Sequence, residues 1–348
     1  LADNSVAIVG GRNLGDEYFD AKAEMNFSDL DLMGVGPVAQ SLGESFDQYW
    51  NSRISRPIED YLWGEPDLDE LNRMRRKLDH YLAKERVKSS SYIARLNRNS
   101  DRPHLQNWLD DLVWAPGKAV WDTPLKVLDQ GDPKGEQLLS SQLQPLFDEV
   151  SKELILVSAY FVPTSAGVDY LTQRAESGVS VRLLTNSLEA TDVPAVHAGY
   201  APYRLELLEH GVKLYELRAD PDQRLSGAPW MVRGSSSASL HSKAAVFDQQ
   251  KVFVGSLNFD PRSVLWNTEV GIIVDSPELA DQVRRLALAS MSPSVSYQVK
   301  IAPGSEPPKL IWIEERGGKL VALDREPGNV WRRLNVWIAG AIGLEKML

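Results

Sequence analysis

The apolar positions of the chain follow two rhythms. "SVAIVG" (5–10) is an unbroken apolar run closed by glycines and predicts a short buried strand; "DLMGVGP" (31–37) predicts another, stopped by Pro37. From Val38 to about Asn97 the apolar residues recur three and four apart, in "VAQSLGESFDQYWNSRI" and "LDELNRMRRKLDHYLAKERV". That spacing predicts helices packed on one face of a sheet. "APGKAVWDTP" (115–124) reads as a strand and "DQGDPKG" (129–135), dense in turn formers, as a linker. An alternation follows: helix 137–151, strand 153–162, helix 165–177, strand 179–186, a helix from about 193 to 210, strand 212–217. Alternation of this kind predicts an α/β fold with mostly parallel strands covered by helices.

A Gly/Ser/Pro-rich loop (220–239) precedes two apolar runs, "LHSKAAVFD" and "KVFVGS", separated by Gln249-Gln250, which predict a hairpin. A strand over 268–275, a helix over 277–290 and two short strands near 309–313 and 319–323 complete the pattern. The closing segment places Trp331, Leu334, Trp337, Ile338 and Ile342 on one helical face, with Arg332, Arg333 and Asn335 elsewhere. It is too short and too interrupted by charge to span a bilayer. A C-terminal helix docked on the body is the first expectation, an interfacial membrane helix the second.

Composition narrows the classes. At 348 residues two packed units are expected. The net charge of −10 gains nothing from the counterion release that drives non-specific nucleic-acid binding, so no nucleic-acid partner is expected. Cysteine is absent, which excludes disulfides, thiolate metal sites and a thiol nucleophile.

The chemistry concentrates in "HSKAAVFDQQKVFVGSLN" (241–258), which has the form H-x-K-x4-D-x6-G-S-x-N. Residues two apart on a strand share a face, so His241 and Lys243 emerge together, and Ser256 and Asn258 return on the neighbouring strand. An ammonium, a hydroxyl and a carboxamide can hold the oxygens of a phosphoryl group while an imidazole attacks or moves a proton. Gly255 would let the backbone approach such a group closely. No carboxylate cluster or helical His pair suggests a metal. Taken singly, each residue also has an ordinary reading: a satisfied strand histidine, a solvated lysine, turn residues at Asp248 and Asn258. The combination carries the argument, and it is partly repeated. In "LADNSVAIVGGRN" (1–13), Asp3 matches Asp248, and Gly10, Gly11, Arg12 and Asn13 match Gly255, Ser256, Leu257 and Asn258.

The pattern resembles the HKD signature of the phospholipase D superfamily, with Asp3 to Asn13 similar to the end of a second copy. The blocks "VGGRNLGDEYFDA", "SAYFVPTSAGVDYL", "LLTNSLEATDVPAVHAGYAPYRLELLEHGVKLYEL" and "GSLNFDPRSVLWNTEVG" resemble the C-type bacterial cardiolipin synthases. The resemblance implies two pseudo-symmetric halves facing one another across a single site, with residues 1–130 the remainder of a first half, 131–292 a second half and 293–348 an extension. The first copy's His and Lys would lie seven and five residues before Asp3. It further implies a transphosphatidylase without cofactor or metal. The phosphatidyl group of a donor such as phosphatidylethanolamine would pass to the first copy's histidine, then to phosphatidylglycerol, at a bacterial membrane reached peripherally or through an unseen N-terminal segment.

By the same resemblance His241 would be general acid and then base. Lys243, Ser256 and Asn258 would hold the phosphate from one half, and Asn13 from the other, where Gly11 offers one hydroxyl fewer than Ser256. Glu269 and Asp31 match places where the family has a carboxylate on a catalytic histidine. Asp248 and Asp3 would tie their hairpins. The helical spacing of His197, Tyr200 and Arg204, after an N-cap at Asp192 and Pro194 in the first turn, makes a polar face that could meet a headgroup or pack on a neighbour. Tyr160, Phe161 and Pro163 follow a strand end and could guide acyl chains or cap the core. His80, His104 and His210 read as surface. Two other readings are a phospholipase D-fold phosphodiesterase acting on nucleic acid and a catalytically incomplete scaffold.

Overall fold

The computed structural model describes residues 1–19, 25–62, 64, 67–88, 112–128, 135, 138–219 and 237–341. Most of the expected linker, most of the Gly/Ser-rich loop, His104 and Ile342 lie outside those residues. Residues 1–49 and 115–348 make one compact unit, and 50–114 another.

In the larger unit the chain opens with β1 (Val6–Gly10), β2 (Met25–Ser28), β3 (Asp31–Val35) and α1 (Pro37–Trp50). The smaller unit contains α2 (Leu68–Lys88). Its side chains over residues 68–84 are all exposed, which is not the burial expected of a helix laid on a sheet. The larger unit resumes with β4 (Gly117–Trp121), α3 (Leu125–Leu128), α4 (Leu139–Glu149), β5 (Glu153–Ser158), α5 (Thr164–Glu176) and β6 (Ser180–Asn186). The single helix expected over 193–210 is instead α6 (Pro194–Tyr200) and α7 (Arg204–Glu209), separated by a 3-10 turn at Ala201–Tyr203 containing Pro202. Then come β7 (Lys213–Leu217), β8 (Ser237–Leu240), β9 (Lys243–Phe247), β10 (Lys251–Gly255), α8 (Pro261–Leu265), β11 (Val270–Asp275), α9 (Pro277–Ser290), β12 (Ser296–Ile301), β13 (Leu310–Arg316), β14 (Lys319–Leu323) and α10 (Val330–Ala341).

Ten strands form one mixed sheet in the order β14-β13-β12-β7-β6-β5-β9-β10-β11-β4. Only β5, β6 and β7 run parallel to one another; every other pairing in this sheet is antiparallel. The expectation of a mostly parallel sheet is corrected here. Short connections such as Asp248-Gln249-Gln250 can only join antiparallel neighbours. Strand β12 was not foreseen: its alternation of Tyr297 and Val299 with Gln298 and Lys300 is short, yet it links β7 to the terminal hairpin.

Strand alternation divides the core. Leu154 and Leu156 of β5 face one apolar cluster with Leu139, Leu143 and Leu171 from α4 and α5; Ile155 and Val157 face another with Val283 and Ala287 of α9. Ala7, Val9 and Leu42 join this second cluster beside Val252, Val254 and Ile272, which brings β1 and α1 against β10 and β11.

The repeat seen in the sequence recurs in the backbone. Asp3 and Asn4 turn with φ of 48° and 52°, Asp248 and Gln249 with 51° and 60°, the left-handed turn of a tight hairpin. After the first turn β1 pairs with β3, Gly10 opposite Asp31; after the second β10 pairs with β11, Gly255 opposite Gly271. Helix α10 docks through its polar side, Arg332 donating to the carbonyls of Leu188 and Thr191 at 3.1 and 2.6 Å. Trp331 and Trp337 of its apolar face remain 74% and 69% exposed, the reverse of the packing expected. Among the described residues no helix is long and apolar enough to cross a membrane.

Candidate active site

His241 does not lie within a strand. It and Ser242 follow β8, and both backbone N–H groups donate to the carbonyl of Ser28 at 2.7 and 3.1 Å. The cause is a parallel pairing of β2 with β8, Ser28 opposite Leu240. The residue after one strand therefore meets the residue after the other, and Asp29 meets His241. Asp29 Oδ2 lies 2.8 Å from His241 Nδ1, while its other oxygen accepts from the Leu30 N–H at 2.9 Å.

Lys243 Nζ is 3.0 Å from the same Nδ1 and also donates to the His241 carbonyl. One ring nitrogen cannot both donate to a carboxylate and accept from an ammonium. The buried carboxylate accepts the Nδ1–H hydrogen bond, the lysine donates to the carbonyl, and Nε2 is the ring nitrogen that Asp29 does not engage. Nε2 faces Tyr18, whose hydroxyl is 3.5 Å away, and the Tyr18 and Phe27 rings lie 5.1 and 5.0 Å from the imidazole.

Asp29 takes the role expected of Asp31, and this is a correction. Asp31 begins β3 and pairs with Arg12 at 2.6 Å, and Arg12 in turn donates to the Tyr18 carbonyl. The register explains the shift. Glu269 stands two residues before Gly271, the partner of Gly255; Asp29 stands two residues before Asp31, the partner of Gly10. Asp29 and Glu269 are the equivalent pair. Counting forward from Asn13 and Asn258 misses this, because the first copy has a longer connection.

Glu269 accepts from the Ser256 hydroxyl, and its own N–H donates to Asp122 at 2.8 Å. Asp122 is bound to Lys126 at 2.7 Å in a buried pair that also takes the Leu139 N–H. Burial pushes Glu269 up to about 7, against the Ser256 hydrogen bond and with a contribution from Asp122. Burial pulls Lys243 down to about 8, with Asp29 and Glu269 opposing.

Asn258 is buried and accepts the Tyr160 N–H at 3.3 Å through Oδ1, so it offers its amide N–H groups. The Tyr160 hydroxyl donates to Asp192 at 2.7 Å. Asp192 therefore belongs to the site's surroundings; α6 is preceded by Val193 with no side-chain cap.

Two glycines are also required by close packing. A Cβ on Gly255 would meet the Val270 carbonyl at 2.5 Å and Gly271 Cα at 2.8 Å, so its smoothness serves strand packing. A Cβ on Gly11 would meet the Asp29 carboxylate and the His241 carbonyl, both at 2.8 Å. Gly11 lets the first repeat lie against the histidine–carboxylate pair. Asn13 is exposed, with Oδ1 accepting from Leu14 N–H, beside Arg12 on a shallow cavity of about 270 Å³.

Asp248 accepts backbone N–H groups from Ser151, Lys152 and Glu153 at 2.7–3.2 Å and is held below the usual carboxylate range by them, despite some burial. Among the described residues Asp3 makes no comparable set; its carbonyl accepts from the Ser5 hydroxyl. His197, Tyr200 and Arg204 are 2%, 1% and 3% exposed. They form a closed cluster: Glu326 lies 2.6 Å from His197 Nε2, Arg204 pairs with Glu216 at 2.8 Å, and its guanidinium stacks over Tyr200 and Trp312. This face packs the fold and does not line the site.

Sequence reasoning missed Asp29, Tyr18, Phe27 and Asp122. None of the four carried a signal in the residues alone; Asp29 is fixed by the strand register, which only the fold shows.

A histidine–carboxylate pair beside a lysine, in an H-x-K-x4-D-x6-G-S-x-N motif whose D-x6-G-x-x-N part recurs over residues 3–13, marks a phospholipase D-type protein. Residues 143–288 match the family described as "Cardiolipin synthase, PLD-like domain". The chain is 34% identical over 347 residues to cardiolipin synthase C of Escherichia coli, covering 99% of this chain and 71% of that protein. It is 30% identical over 289 residues to an uncharacterized protein of Helicobacter pylori, spanning 54% of its length. The phosphatidylserine synthase of Haemophilus influenzae shares the fold, with a TM-score of 0.55 over 99% of this chain and 68% of that one at 12% identity. The chain belongs to the cardiolipin synthase family of the phospholipase D superfamily.

Proposed function

We propose that this chain carries the His241 half of a phosphatidyltransferase that makes cardiolipin at a bacterial membrane from phosphatidylglycerol and a donor such as phosphatidylethanolamine. The supporting observation is the geometry of His241: Nδ1 held by buried Asp29, Nε2 directed away from it, and Lys243 beside it. In this reading the first motif's histidine attacks phosphorus. His241 Nε2–H gives its proton to the departing ethanolamine oxygen. The free hydroxyl of phosphatidylglycerol then returns a proton to Nε2 as its oxygen attacks phosphorus and releases the nucleophile. Lys243 and the Asn258 amide hold the phosphate oxygens, with Asn13 from the other repeat; Ser256 supports Glu269, which orients the nucleophile as Asp29 orients His241. No cofactor enters.

The full-length protein, given vesicles of phosphatidylglycerol and phosphatidylethanolamine, should form cardiolipin and ethanolamine in equal amounts, and His241→Ala should form neither. Release of phosphatidic acid alone would make it a hydrolase. DNA cleavage lost with His241→Ala would favour the phosphodiesterase reading.

A further inference from the structure

Next to the site lies a cavity of about 320 Å³ between β5, α5 and α8, within the size of pockets that hold small ligands, about 300–1,000 Å³. Phe161, Val162, Gly167, Tyr170, Phe259 and Leu265 are among its walls. Its position follows from the site. Phe161 comes directly after Tyr160 and Phe259 directly after Asn258, and the two are bridged to each other, with Val162 N–H donating to the Phe259 carbonyl at 2.9 Å. Asp260, on the cavity wall, also acts electrostatically on Lys243 and Tyr160.

The Tyr170 and Asp260 polar groups on this wall are already occupied, and the Thr164 hydroxyl stands at its exposed rim. The Tyr170 hydroxyl donates to the Phe147 carbonyl at 2.6 Å. The Asp260 carboxylate caps α8, accepting the Ser263 N–H at 2.8 Å and the Ser263 hydroxyl at 3.2 Å. Away from that rim, what remains for an occupant is carbon. A headgroup or a peptide would leave its own polar atoms unpaired here; a hydrocarbon chain leaves none. Leu265, at 39% exposure, stands on the side open to solvent.

We infer that this cavity takes an acyl chain of the phospholipid whose phosphate is held at Lys243 and Asn258. The inference rests on the lipid reading of the site and adds a specificity: the protein selects for chain length as well as headgroup.

Gly167 offers a clean test. It lies inside α5, and a Cβ there would meet only Pro163 Cβ at 3.5 Å, an ordinary contact. Gly167→Leu puts carbon in the cavity and improves helix propensity, so folding should survive; Gly167→Ala is the control. The full-length protein would be titrated with a dansyl-labelled undecanoic acid and read by fluorescence. Wild type and Gly167→Ala should bind the probe, and Gly167→Leu should weaken it at least about tenfold. In turnover, Gly167→Leu should lower kcat/KM on dioleoyl phosphatidylglycerol vesicles by a similar factor and leave monomeric dihexanoyl phosphatidylglycerol nearly unchanged. Failure of wild type to bind the probe, or equal binding by Gly167→Leu, overturns the inference. Probe binding that responds to Gly167→Leu in a protein that forms no cardiolipin would keep the pocket and sink the transferase reading instead.

Discussion

Asp29 and Asp31 are two residues apart and have opposite fates. One is buried against His241; the other is half-buried against Arg12. The expected consequence is a sharp contrast between their amides. Asp29→Asn should lower kcat for cardiolipin formation by about 10²–10⁴-fold with little change in KM, because the imidazole loses the partner that fixes its tautomer and stabilises its charge. Asp31→Asn should leave kcat within a few-fold of wild type. Equal losses in the two variants would refute the assignment. Glu269 makes a separate prediction. Its carboxyl is raised from 4.5 to about 7 by burial, so the folded state holds a proton that the unfolded chain releases. Its contribution is fully present below pH 4.5 and is lost as pH rises through 7, by at most about 3 kcal/mol. Denaturant titrations across that window should show a flatter stability profile for Glu269→Gln than for wild type.

At the scale of elements, the hairpin β9–β10 and its neighbour β11 carry the site, and Gly255 marks how tightly they pack. Gly255→Ala should cost about 1–3 kcal/mol, read as a lower denaturant midpoint, since the added carbon meets the Val270 carbonyl and Gly271 Cα as well as the buried Phe253 ring. A variant as stable as wild type would show that β11 can shift. Much of this level was legible from residues alone. The alternation over 153–186, the hairpin around Asp248 and the helix over 277–290 follow from local periodicity, and His241, Lys243 and Asn258 from fixed spacing. Other features are not local. Nothing in "MNFS" (25–28) and "SASL" (237–240) says that they pair, so the meeting of Asp29 and His241 is hidden in the sequence, where Asp31 stands equally near the expected place. The polar face of His197, Tyr200 and Arg204 was correctly seen as one face. Its partners Glu216 and Glu326 lie on β7 and after β14, and only the fold shows that the face points inward.

Across the whole molecule, that buried cluster fastens the C-terminal segment to the central sheet. Burial alone would raise Glu326, but hydrogen bonding to His197 and the charge of Arg204 take it down to about 2. Its stabilising contribution is therefore present above 4.5 and is lost as pH falls toward 2. Acid unfolding should begin at a higher pH in Glu326→Gln than in wild type, and coincident acid transitions would argue that the cluster is energetically idle.

The pairing of Met25–Ser28 with Ser237–Leu240 also has a consequence in time. The two strands are separated by more than two hundred residues, so Asp29 leaves the ribosome long before His241 exists. At the usual pace of synthesis, about 5–20 residues per second, the carboxylate waits roughly 10–40 s for its imidazole. The pair therefore cannot close until about two thirds of these 348 residues have been made. A chain interrupted anywhere before β8 has Asp29 without its imidazole, and β1 without the strands β10 and β11 on which it packs.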